Sequence, residues 1–103
     1  MNSDLIELLQ SLKKYRVRYL IVGGQAVIAY AEPRYTKDLD LWVEPTKENA
    51  KRLVKSLQAF GAPLASVAEE DFSKEGTIFI FGIEPNRVDI LTKVKGAVFA
   101  ERP

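Results

Sequence analysis

Three aspartates and a pair of glycines hold most of the chemistry this chain can do. Asp38 and Asp40 stand two residues apart in Lys37-Asp38-Leu39-Asp40-Leu41. Side chains alternate along an extended strand, so both carboxylates leave from one face with Leu39 on the other. Like charges that close repel, and a divalent cation, or a pair of them, removes the conflict. Asp89 lies within Arg87-Val88-Asp89-Ile90-Leu91, with Val88 and Ile90 on the opposite side, and can address the same point. Asp is depleted in strands, yet Asp38, Asp40 and Asp89 all fall inside strand-like runs. Such local conflict with propensity is a mark of functional sites. Gly23-Gly24 closes the apolar run Tyr19 to Val22, where paired glycines allow a sharp turn and close approach of a ligand to the backbone. Backbone N–H groups opening a helix there would favour a phosphate. Singly, each feature has an ordinary explanation: a tight turn, a solvated strand face, an acid paired with Arg87. Together, in this order, they point to one acidic, phosphate-handling site.

Composition narrows the chemistry further. The 103 residues include no His and no Cys. That excludes Ser-His-Asp and Cys-His catalysis, zinc held by imidazole or thiolate, disulfides and iron–sulfur ligation. A metal here must be held by oxygen, which selects hard cations such as Mg²⁺ or Mn²⁺. With 15 basic and 14 acidic side chains the formal charge is +1, so no broad electrostatic footprint for duplex nucleic acid is expected. A hydrophobic content of 47% suits an ordinary globular core. No apolar run approaches a membrane span and no signal-peptide core is present, so a cytoplasmic setting is the expectation.

The elements that must position these residues can be read from periodicity. Leu5, Leu8, Leu9 and Leu12 mark an amphipathic helix over residues 4–14, with Ser3 as its cap. Tyr19 to Val22 reads as a strand and Gln25 to Ala31 as a short helix closed before Pro33. Asp38 to Glu44 alternates as a strand, ending at Pro45. Thr46 caps a third helix whose core stripe is Ala50, Leu53, Val54 and Leu57 and whose stop is Gly61. Its wet face carries Lys47, Lys51 and Lys55, with Glu48 and Arg52 as a helical pair. Residues 62–76 show no clear period. Thr77 to Ile83 and Arg87 to Leu91 read as paired strands about the turn Glu84-Pro85-Asn86. The order α-β-α-β-α-β-β predicts an α+β (mixed α/β) domain over residues 1–103, with helices packed on a small mixed sheet.

These motifs resemble the signature of the DNA polymerase beta-like nucleotidyltransferase superfamily. The matching pattern is Val22-Gly23-Gly24, a spacer over residues 25–37, then Asp38-Leu39-Asp40-Leu41, with Asp89 as the third acidic residue on a later strand. Arg34-Tyr35-Thr36-Lys37-Asp38-Leu39-Asp40 is similar to the Arg-x-Thr-x-Asp-x-Asp form of small prokaryotic members, some linked to toxin–antitoxin or phage-defence systems. The likeness covers about residues 18–100.

The resemblance implies transfer of a nucleoside monophosphate from an NTP, such as ATP, to an acceptor hydroxyl, with release of pyrophosphate. Asp38, Asp40 and Asp89 would hold two Mg²⁺ (or Mn²⁺) ions, and Asp89 would help deprotonate the acceptor. Gly23 and Gly24 would hold the phosphates through the backbone. Arg34 and Lys37 would suit triphosphate oxygens, and Thr36 a phosphate hydrogen bond. For Arg87 the choice is between phosphate and Asp89, and for Trp42 between the site and packing under a helix. The acceptor is a small molecule, a protein or an RNA end. Larger members continue into further helices beyond the point matching Pro103. The expectation is therefore a minimal transferase, working with a partner protein or as a homo-oligomer. Its alternative is a catalytically inactive module of the same fold, binding within a toxin–antitoxin-type complex.

Overall fold

In the computed structural model, residues 3–22, 38–83, 86–94 and 99 are described. Helix α1 (Ser3–Lys14) leads to strand β1 (Tyr19–Ile21), and β2 (Asp38–Val43) to helix α2 (Lys47–Phe60). A short 3₁₀ helix (Glu69–Ser73) precedes β3 (Ile78–Ile83) and β4 (Asn86–Leu91). The four strands form one mixed sheet in the order β1-β2-β4-β3. β2 and β4 run parallel at its centre, and the two edge strands are antiparallel to their neighbours. The protein is thus an α+β fold, as its periodicities predict. The expected helix Gln25 to Ala31 lies outside the described residues.

One face of the sheet carries the core. Leu39, Leu41 and Val43 of β2, Val88 and Ile90 of β4, and Phe79 and Phe81 of β3 are buried there. Against them pack Leu5, Leu8 and Leu12 of α1, Ala50, Leu53 and Leu57 of α2, and Phe72 of the 3₁₀ helix. Strand alternation does the sorting: every second residue enters this core, which leaves the carboxylate-bearing positions for the opposite face. Among the described residues no helix is long and apolar enough to cross a membrane.

The helix ends are closed by local chemistry. Thr46 accepts the backbone N–H of Asn49 at 3.2 Å, and Gly61 adopts a left-handed φ of 100° beyond the last turn of α2. Helix α1 ends in the same way on a residue that is poorly suited to it. Arg16 has φ 60°, its N–H bonds Lys13 C=O at 3.1 Å, and Val17 N–H bonds Leu12 C=O at 3.0 Å. That is a Schellman closure, complete with buried Leu12 and Val17. A side chain at a left-handed position costs energy that glycine avoids. Arg16→Gly is therefore expected to stabilise the protein by about 0.5–1 kcal/mol in urea unfolding, after the entropy glycine adds to the unfolded chain.

A polar device absent from the sequence reading ties α2 to the strands beside the site. Asn49, buried in the first turn, accepts the Arg18 N–H at 2.7 Å and donates to the Arg18 and Glu44 carbonyls at 3.0 Å each. It thereby clamps the residue before β1 to the residue after β2. Cutting the side chain back removes three hydrogen bonds to part-buried backbone groups at once. Asn49→Ala should lower unfolding free energy by about 2–3 kcal/mol, with Asn49→Asp failing to restore it because an acid cannot donate to the two carbonyls. At the helix–helix contact, the Ser56 hydroxyl donates to the Ser11 hydroxyl at 3.1 Å, which in turn donates to the Ser56 carbonyl at 3.0 Å.

Candidate active site

The two central strands bring distant acids together. In the parallel β2–β4 pair, Asp40 lies directly opposite Asp89, Asp38 opposite Arg87 and Trp42 opposite Leu91. Adjacent strands are about 4.8 Å apart, and residues in register share a face. Asp40 and Asp89 are therefore neighbours on the side of the sheet away from the core. Asp38 occupies the strand position two before Asp40, and its side chain lies outside the described residues. Among the described residues no group of three or more acids converges on a point.

The environment of Asp89 is unusual for a carboxylate. Its side chain is 16% exposed, while that of Arg87 is 54% exposed. Arg87 Nε lies 3.1 Å from Asp89 Oδ1, and Nη2 donates to Oδ2 at 3.4 Å. The Oδ1 contact is close enough for an ion pair but lacks hydrogen-bond alignment. Oδ1 is consequently a buried acceptor with no hydrogen-bond partner among the described residues. Buried carboxylate oxygens are normally hydrogen-bonded; this one has the Arg87 ion pair in place of a hydrogen bond. Of the two roles considered for Arg87, the pairing with Asp89 is the one present here.

The surroundings divide sharply in polarity. Across β4 from Asp89, in register, stands Ile80 of the edge strand β3, and beyond it Ile78, at 54% and 64% exposure. The carboxylate pair thus has an open apolar flank that motif reading missed, although strand alternation through Ile78-Phe79-Ile80-Phe81 contained the signal. On the other side, Val22 N–H donates to the Asp40 carbonyl at 3.0 Å, which carries the backbone from β1 along β2 towards residue 23. Gly23, Gly24, Arg34, Thr36 and Lys37 lie outside the described residues. Trp42 is buried on the acid-bearing side, where it meets the Phe99 ring edge-on at 5.4 Å. Its indole N–H has no hydrogen-bond partner among the described residues.

These donors suit a hard cation. They are all oxygens, two carboxylates stand opposite one another on adjacent strands, and one of their oxygens is buried and held by an ion pair without a hydrogen bond. No family model, curated protein or solved structure matches the chain.

Proposed function

We propose that this protein is a Mg²⁺-dependent nucleotidyltransferase that moves a nucleoside monophosphate from an NTP to an acceptor hydroxyl. The observation that carries this reading is the register of Asp40 against Asp89, with Asp89 Oδ1 buried and lacking a hydrogen bond. Asp40 and Asp89 hold the cation, with Asp38 as the third ligand. A bound Mg²⁺ supplies Lewis-acid stabilisation of charge on the phosphate oxygens. Asp89, at the inner edge of the site, accepts the proton of the acceptor hydroxyl. The hydroxyl oxygen then forms its bond to the α-phosphorus as the α–β bridging bond breaks, and pyrophosphate leaves with the electron pair. Gly23 and Gly24 hold the β- and γ-phosphates, assisted by Arg34, Thr36 and Lys37. The apolar flank at Ile80 favours an acceptor or base that offers an apolar surface beside the reacting groups.

Incubation with Mg²⁺ and α-labelled NTPs, across protein, RNA and small-molecule acceptors, tests the proposal. Label transfer that chelation abolishes is the expected result. Failure to bind any NTP in the presence of Mg²⁺ overturns it and leaves the inactive binding module as the better account.

A further inference from the structure

We infer that Arg87 and a divalent cation compete for Asp89: the guanidinium neutralises the carboxylate until a cation takes it over. This rests on the reading of Asp40 and Asp89 as cation ligands. Arg87 and Asp89 sit two apart on one strand, so they share the acid-bearing face and each is within reach of the other. The guanidinium addresses both oxygens of the carboxylate, at 3.1 and 3.4 Å. Asp89 is mostly buried and Arg87 half-exposed, so the guanidinium is the solvent-facing partner of the pair.

The fit is imperfect in a way that favours exchange. One of the two contacts lacks hydrogen-bond geometry, so Oδ1 is held by charge alone, without a hydrogen bond among the described residues. An ion pair with a half-exposed arginine contributes little, since solvent screens it and ordering the side chain costs entropy. A divalent cation has two advantages over the guanidinium. It carries twice the charge, and at ligand distances of about 2.0–2.6 Å it can draw on Asp40 and Asp89 together. Arg87 therefore acts as a positioning residue. It offsets the repulsion between facing carboxylates while the fold forms, and sets the cation concentration at which the site fills. Once displaced, the side chain remains beside the site, where its planar fork suits a phosphate oxygen. Cation and nucleotide binding then reinforce one another, each favouring the arrangement with Arg87 turned away from Asp89.

Titration of the full chain with Mn²⁺ alone, followed by electron paramagnetic resonance of the free ion, tests this without any turnover. Arg87→Gln should bind Mn²⁺ about five-fold more tightly, the gain set by the exposed pair it removes. Arg87→Lys should fall between Arg87→Gln and the parent protein. Lys93→Gln removes a charge further along the chain, paired with Glu75 at 3.5 Å, and should leave affinity unchanged. In chelator, Arg87→Gln should melt below the parent, and saturating Mn²⁺ should close that gap; a merely structural arginine would leave the gap in place. Parent-level or weaker Mn²⁺ binding by Arg87→Gln overturns the competition while sparing the cation site. Absence of Mn²⁺ binding in the parent as well overturns both.

Discussion

Asp40→Asn is expected to reduce nucleotidyl transfer by at least about 10³-fold, a loss of roughly 4 kcal/mol of transition-state stabilisation. The substitution keeps the side chain's size and its place opposite Asp89, but removes the charge a hard cation needs. Its effect on stability should run the other way. Like charges directly opposite on neighbouring strands are destabilising, so the variant should melt at or slightly above the parent temperature in chelator. Single-turnover transfer assays and thermal denaturation on the same preparations separate the two. Transfer above about a tenth of the parent rate would show that Asp40 is not a ligand in the reaction. A collapse of the melting temperature would show that its role is structural.

Phe72→Ala should lower unfolding free energy by about 3–5 kcal/mol, the range for removing a large buried aromatic. Phe72 is completely buried, projects from the 3₁₀ helix into the core, and meets Phe79 of β3 edge-to-face at 5.9 Å. Phe79 in turn lies 5.4 Å from Phe81, so the three rings back the edge strand that flanks the site. A domain of this size has a total stability of roughly 5–15 kcal/mol, and the melting temperature should fall by more than about 12 °C. Phe72→Leu fills most of the space and should cost less than half as much. A small effect of Phe72→Ala in urea unfolding would mean that the segment over residues 62–76 is not part of the cooperative core.

Much of this architecture was legible because burial follows period. The leucines of α1 and the Ala50, Leu53 and Leu57 stripe of α2 enter the core as their spacing requires. The caps at Thr46 and Gly61 act as their residue types suggest, and Glu48 pairs with Arg52 at 3.3 Å. Strand alternation likewise assigns Asp40 and Asp89 to the face away from Leu39 and Val88. What alternation along one strand does not contain is the partner strand. Placing β4 beside β2, in a register that aligns Asp40 with Asp89, depends on a crossover through α2 and on the hairpin that sets β3 outside. Asn49 was illegible for a similar reason. An Asn in the first turn of a helix reads as a local capping residue, whereas its partners Arg18 and Glu44 belong to other segments. Phe72 sits in a stretch with no repeating pattern, so its burial follows from tertiary contact alone.

The parallel pairing of β2 with β4 also has a kinetic meaning. Its two strands are separated by nearly half the chain, and closing so large a loop must precede any reward from contact. The hairpin β3–β4 and the helices form from local contacts and can assemble early. The central pair cannot. Asp40 and Asp89 are therefore expected to face one another later than the β3–β4 hairpin forms, as the apolar sides of the same strands draw together. The repulsion between the carboxylates then acts when Leu39, Leu41, Val88 and Ile90, buried on the other face of the same two strands, are there to offset it. A nascent chain released before β4 would hold one acidic strand and no site.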